Sequence, residues 1–202
     1  ARIQRCAVVN PERIKGISAA LLSGKTIRFR SDWTISGPLP EGVRMTEGDD
    51  FDVGLSVFRM EPEALYLAPR IVTLGVGCKR GAGRDDLEGC FETFCAVSGI
   101  WPEAIGQVCS IDWKAGEPGL IAFCRDRGLP LRTFTAEELQ RAPGVFTASD
   151  FVRQVTGVDN VCERSAVLGS GGILIQTKTA KNGVTMAAAM APFVPDWRWQ
   201  DG

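Results

Sequence analysis

The chain has 202 residues, 45% hydrophobic and 23% charged, with a formal net charge of −1; this predicts one packed domain, or one with a smaller companion, and excludes a disordered chain. That charge leaves no strongly basic face for duplex nucleic acid, and no apolar run reaches the roughly 18 residues of a membrane-crossing helix, so neither partner is expected. The absence of His excludes a Ser-His-Asp triad, a Cys-His pair and any His-ligated metal, and no metal site is expected.

The chain opens on Ala1 rather than Met, as expected of a piece of a longer protein. Asn10-Pro11 reads as an N-cap followed by Pro at the first helical position. Ile14, Ile17 and Leu21 continue that helix until Ser23-Gly24 stops it. "KTIRFR" (25–30) alternates like a half-buried strand, "SGPLPEG" is a loop, and "FDVGLSVF" is a second strand. Pro62 and Pro69 bracket "EALYLA" and mark a boundary. "RIVTLGV" then reads as a strand buried on both faces. After a glycine loop, a helix places Leu87, Cys90, Phe91, Phe94 and Val97 on one side and ends near Gly99. "QVCSI" is a short strand, Pro118 starts a helix closed by Gly128, and "LPLRTF" is a strand. Thr135 and Glu138 form a capping box, Ser149 caps "DFVRQV", and "NVCERSAVL" is a helix. "GGILIQTK" and "GVTMAAAMA" are strands joined across Asn182-Gly183, a type I′ hairpin signal. The tail "PDWRWQDG" is expected to pack poorly.

Alternating strands and helices predict an α/β protein. Residues 69–202 are expected to form a three-layer α/β/α sandwich whose sheet is mixed because of the closing antiparallel hairpin. Residues 1–68 are expected to form a smaller α/β segment with a linker.

The motif that draws chemistry is "TLGVGCKRGAGRDDLEGC", a strand, a glycine turn and a helix start. It fails the dinucleotide fingerprint, since Arg80 stands where the last glycine of G-x-G-x-x-G belongs and no acidic residue ends a strand about 20 positions on. It also lacks the Gly-Lys-Ser/Thr of a P-loop. What remains is a turn carrying Lys79 and Arg80 at a helix N-terminus. Such a turn either binds a carboxylate or phosphate or merely solvates two charges. Asp112-Trp113-Lys114-Ala115-Gly116-Glu117 follows a strand where open α/β sheets bind ligands, and its Lys between two acids is a tuned base or an ion-pair network. Its loop is expected at the same sheet edge as the glycine loop. Glu163, on an apolar helix, is a carboxylate with a raised pKa or an ordinary helix-face residue. Lys178 is a strand-end cation, and Ser170-Gly171-Gly172 is a ligand-facing loop or a connector. The seven cysteines show no CxxC spacing and read as small buried hydrophobes of a reducing cytosol; Cys78 alone sits where a reactive thiol makes sense.

"LGVGCKRG" after "APR", then "SIDWKAGEPGL", "VCERSAVL" and "GVTMAAAMA" in that order, resemble the C-terminal domain of the cobalt-precorrin-5A hydrolase family of anaerobic cobalamin biosynthesis. "NPERIKGISAALLSGKTIRF", "GPLPEG" and "DVGLSV" are similar to its central region, so the resemblance covers nearly the whole chain. It implies a cytoplasmic enzyme of corrin ring contraction that opens a lactone on a cobalt-tetrapyrrole and releases acetaldehyde, with the cobalt carried by the substrate and no cofactor of the protein's own. The family's N-terminal domain would precede Ala1, and it or other pathway enzymes are the implied partners. The C-terminal module also resembles a small stand-alone protein of the aerobic pathway, which favours a binding or carrier role. On the implied substrate, rich in carboxylates, Gly75, Gly77, Cys78, Lys79, Arg80, Gly81, Ser170 and Lys178 are expected to bind. Lactone opening without His needs a carboxylate or Lys as base, so Asp112, Lys114, Glu117 and Glu163 are the catalytic candidates.

Overall fold

The structure, a computed structural model, describes residues 6–60 and 64–196. It divides into two compact units: one takes the described residues of Ala1–Arg70, Ile100–Ala104 and Phe193–Gly202, the other Ile71–Gly99 and Ile105–Pro192.

The first unit comprises β1 (Cys6–Val8), α1 (Ile14–Leu22, entered through a 3-10 turn at Pro11–Arg13), β2 (Ile27–Ser31), β3 (Val43–Met45), β4 (Val53–Leu55) and β5 (Leu65–Pro69). Its five-stranded sheet has the order β1-β5-β4-β2-β3, antiparallel between β1 and β5 and parallel elsewhere. The alternation in β2 turns Ile27 and Phe29 into a core with Val53, Leu55 and Leu65, against which Ile17 and Ala20 of α1 pack. Short β1 and β3 carry too few residues for a periodic signal and went unread in the sequence. Asn10 does not cap its helix. Its amide donates to the Ala64 carbonyl at 2.5 Å and its oxygen accepts the Tyr66 N–H at 2.9 Å, so the sheet takes the side chain. The expected boundary at "EALYLA" is strand β5, an integral member of this sheet. The start of the tail is also held: Pro195 is buried and its carbonyl accepts the Ser36 N–H, while residues 197–202 lie outside the described residues.

The second unit contains β6 (Val72–Cys78), α2 (Arg84–Ser98), β7 (Ile105–Ile111), α3 (Pro118–Asp126), β8 (Leu131–Phe134), α4 (Ala136–Gln140), α5 (Asp150–Thr156), α6 (Val161–Ser170), β9 (Ile173–Lys181) and β10 (Val184–Met190). The sheet order is β8-β7-β6-β10-β9, with β6, β7 and β8 parallel and β10 antiparallel to both its neighbours, a mixed sheet as predicted. Asn182 and Gly183 both have positive φ, 54° and 77°, as a type I′ turn requires.

Alternation along β6 divides the two faces. Thr73, Gly75 and Gly77 turn toward α6, while Leu74 and Val76 turn the other way with their β10 partners Ala188 and Met186. On that second face α2 and α3 pack together, Phe91 meeting Phe123 edge-on at 5.6 Å, and the Cys90 thiol donates to the Val184 carbonyl at 3.7 Å. Helices on both faces make this the expected three-layer sandwich. Leu87, Cys90, Phe91 and Phe94 are buried as expected, but Val97 is 67% exposed: in the last turn of α2 it is Cys95 that turns to the core.

Candidate functional site

The carboxyl ends of β6 and β7 carry the two motifs singled out in the sequence, and the structure joins them. The loop after β6 is pinned at two points. Lys79 N–H donates to the Gly183 carbonyl at 2.9 Å, at the hairpin turn, and Gly81 N–H donates to Glu117 Oε1 at 2.8 Å. The other Glu117 oxygen accepts Lys114 Nζ at 2.7 Å. Glu117 is 8% exposed, and Lys114 first, with Gly81 and Arg80 adding, holds its carboxyl below the usual 4.5 against the cost of burial. The base of the loop is set by packing: a β-carbon on Gly119, in the first turn of α3, would stand 2.1 Å from the Ala82 carbonyl oxygen. Pro118-Gly119 at a helix start was the only trace of this in the sequence, and it is too common to identify a contact.

Glu117 is therefore the resident anion of the glycine loop. The expectation that the loop's backbone N–H groups and the next helix hold a ligand anion needs revising, because Gly81 N–H is taken and Asp85 and Asp86 already face the positive end of α2 in its first turn. What the loop offers outward is charge. Lys79 and Arg80 are exposed, and among the described residues neither side chain makes a hydrogen bond or ion pair. The Lys79 stem lies along the hairpin turn, so a β-carbon on Gly183 would come within 2.7 Å of its Cδ. Asp112, just after β7, is exposed, and its Oδ1 accepts the Trp113 N–H at 2.8 Å.

The remaining candidates divide. Gly75 is a packing position, since a β-carbon there would stand 1.8 Å from the Cys162 carbonyl oxygen of α6, and Gly77 likewise admits Thr185 Oγ1. Cys78 closes β6 rather than sitting in a loop; burial raises its thiol, with Lys114 opposing and Glu117 reinforcing the shift, so it lacks the depressed pKa of a reactive cysteine. Glu163 is fully buried, and both oxygens accept backbone N–H groups, from Lys178 at 2.9 Å and Thr147 at 2.8 Å. It is an internal staple with no oxygen facing solvent. Lys178 lies where the β9–β10 pairing slips between Met186 and Ala188, a bulge that frees its N–H for Glu163. Asn160 completes this knot: its oxygen accepts the Glu163 N–H and its amide donates to the Thr147 carbonyl. Asn followed three residues later by Glu was a legible helix-start signal. Ser170 is elsewhere. It closes α6, bonding the Val167 carbonyl and the Gly172 N–H, and a β-carbon on Gly172 would meet the Met190 carbonyl, at the opposite sheet edge from the glycine loop. Helix α6 runs back across the sheet, so its two ends cannot share a site.

The second unit is thus a three-layer α/β domain that carries exposed cations and an exposed carboxylate in the loops at the carboxyl edge of its parallel strands, the edge where open sheets bind ligands. The chain belongs to the family described as Cobalamin synthesis G C-terminus, whose pattern matches residues 72–189. It is 34% identical over 125 residues to a cobalt-precorrin-5A hydrolase of Salmonella typhimurium, covering 62% of this chain and 36% of that protein. A cobalt-precorrin-5A hydrolase of Priestia megaterium is 28% identical over 135 residues, 66% of this chain and 36% of that one. The chain therefore spans about a third of the length of these hydrolases. Protein CobE of Sinorhizobium sp is 29% identical over 58% of this chain and 79% of its own length. Among solved structures, CobE, described as a protein from the cobalamin biosynthetic pathway, has the same fold with a TM-score of 0.56 at 24% identity, over 61% of this chain and 92% of that one. A Sulfolobus solfataricus homolog of cobalamin biosynthesis protein G matches 94% of this chain and 58% of its own at a TM-score of 0.51 and 20% identity.

Proposed function

We propose that this chain is the substrate-gripping part of a cytoplasmic cobalt-precorrin-5A hydrolase, acting in the ring-contraction stage of cobalamin biosynthesis. The observation that carries the reading is the outward Lys79–Arg80 pair on a loop whose backbone is already fixed, in a chain 34% identical to an enzyme of that name. A cobalt-tetrapyrrole bearing peripheral acetates and propionates supplies the carboxylates that such a pair binds by charge-assisted hydrogen bonds. Opening a lactone requires a base for water and a stabiliser for the oxyanion. Glu117 and Glu163 are committed to the protein, which leaves Asp112 as the proposed base, with Lys79 or Arg80 beside the developing charge. The cobalt belongs to the substrate; among the described residues no group of three His, Cys, Asp or Glu is gathered to hold a metal, and no helix is long and apolar enough to cross a membrane.

A second reading is a tetrapyrrole-binding module whose chemistry resides in the rest of a longer protein or in a partner. It is favoured by the likeness to CobE over 79% of that protein's length. The test is acetaldehyde release from cobalt-precorrin-5A by this chain, alongside equilibrium titration with the same compound. Binding with turnover supports the hydrolase reading, binding without turnover the module, and no binding refutes both.

A further inference from the structure

We propose that Glu117 is the positioning residue of the glycine loop, an internal carboxylate that fixes Gly81 and thereby holds Arg80 outward for the ligand. The inference rests on the reading of this edge as a carboxylate-binding site, but its central claim concerns the loop itself. Between the anchor at Lys79 N–H and the anchor at Gly81 N–H only Arg80 intervenes, so the two hydrogen bonds define its backbone from both sides. The first anchor comes from the β9–β10 turn and the second from the residue that N-caps α3, so two separate elements converge on one exposed side chain. Gly81 has a φ of 72°, a conformation with little intrinsic preference, which an acceptor at its N–H selects from glycine's wide range. Lys114 orients the acceptor: its Nζ takes the second oxygen, leaving the first aimed at Gly81. The close seat of Gly119 against Ala82 fixes the distance from α3 to the loop, so the brace cannot be lengthened by sliding the helix. A loop held this way loses little conformational freedom when it binds, which is where pre-organisation contributes affinity.

Three variants of the chain separate this role from a direct one: Glu117→Ala, Glu117→Gln and Arg80→Ala, each checked by far-ultraviolet circular dichroism. Two quantities are read: hydrogen-exchange protection of the Gly81 amide, and affinity for a cobalt corrinoid carrying free peripheral carboxylates. Glu117→Ala is expected to lose Gly81 protection and about tenfold in affinity, the equivalent of one hydrogen bond. Glu117→Gln keeps an acceptor oxygen and should rescue most of both. Arg80→Ala should lose affinity with Gly81 protection intact. Unchanged Gly81 protection in Glu117→Ala overturns the proposal, as does a Glu117→Gln variant that keeps protection yet binds as poorly as Glu117→Ala, because the carboxylate would then touch the ligand itself. If the parent chain binds no corrinoid, the functional reading fails, while the exchange measurement still decides whether Glu117 sets the loop.

Discussion

A β-carbon at Gly75 would stand 1.8 Å from the carbonyl oxygen of Cys162, and 2.8 Å from the Ala166 nitrogen, so helix α6 rests directly on the backbone of strand β6. Gly169 repeats the arrangement two turns on, where a β-carbon would meet Cys109 Sγ at 2.3 Å. The glycine that looked like the first member of a phosphate loop is therefore the seat of a helix. Gly75→Ala is expected to push α6 off the sheet and cost about 3 kcal/mol, at the upper end of overpacking. Urea unfolding would show it as a lowered midpoint, and a midpoint equal to the parent's would contradict the packing described.

Arg80→Ala acts on the other side of the same loop. The side chain is exposed and makes no hydrogen bond or ion pair among the described residues, adding only a minor charge term at Glu117, so the unfolding midpoint should barely move. Affinity for a corrinoid carboxylate should fall by roughly 1–3 kcal/mol, the scale of a charge-assisted hydrogen bond. ATP and NAD should not bind detectably to the parent, because the loop lacks both nucleotide fingerprints. Micromolar binding of either nucleotide would mean that the loop has been misread.

Glu117 also gives a pH dependence with a definite sign. Its folded pKa lies below the ordinary 4.5, with Lys114 the first cause, so the unfolded chain binds the proton more readily. Its contribution to stability is complete above that ordinary value and is lost as pH falls through the lower folded value. Asp159, depressed by Arg164, and Asp52, depressed by Arg28, act in the same direction from 3.8 downward. Stability measured from pH 6 to pH 3 should therefore decline, and Glu117→Gln should flatten the first part of that decline. An identical profile for the variant would show that the brace contributes nothing to the acid limb.

Removal of the buried carboxylate at position 163 tests a purely internal role. Glu163→Ala takes the acceptor from the N–H groups of half-buried Lys178 and of Thr147 and leaves a cavity where the buried side chain stood, at a cost of roughly 1–3 kcal/mol. The loss should appear in thermal unfolding, and exchange at both amides should quicken together. Full stability in this variant would show that other groups replace the staple.

Thiol chemistry checks the reassignment of Cys78. Burial pushes Cys109 and Cys162 up to about 12 and Cys124 up to about 11, and it raises Cys78 as well. Near neutral pH the native protein should react slowly with iodoacetamide at all four positions, and rapidly only after unfolding. Fast, selective alkylation of native Cys78 would restore it as a reactive thiol.

Much of the fold was legible because its determinants are local. The Asn182-Gly183 turn, the capping box of Thr135 and Glu138, the left-handed Gly99 and Gly128, and the Pro at the start of α3 each act within a few residues, and each stands where the sequence placed it. The continuous apolar run of β6 likewise announced a strand covered on both faces. Chain order alone also brought "GVGCKRG" and "DWKAGE" to one edge, since parallel neighbours deliver successive loops to the same end. Local patterns could not assign the polar side chains. Whether a glycine frees a loop or seats a helix depends on what lies across from it, 87 residues away in the case of Gly75 and Cys162. Asn10, Glu117 and Glu163 each spend the side chain on a backbone group of another element, because a half-buried amide or a buried carboxylate must find partners wherever the packed chain presents them. The sequence determined which elements form and at which end their loops emerge; only the tertiary structure decided which of the charges there are tied to other elements, as Lys114 and Glu117 are, and which, Lys79, Arg80 and Asp112, stand exposed, because burial and pairing depend on residues distant in the chain.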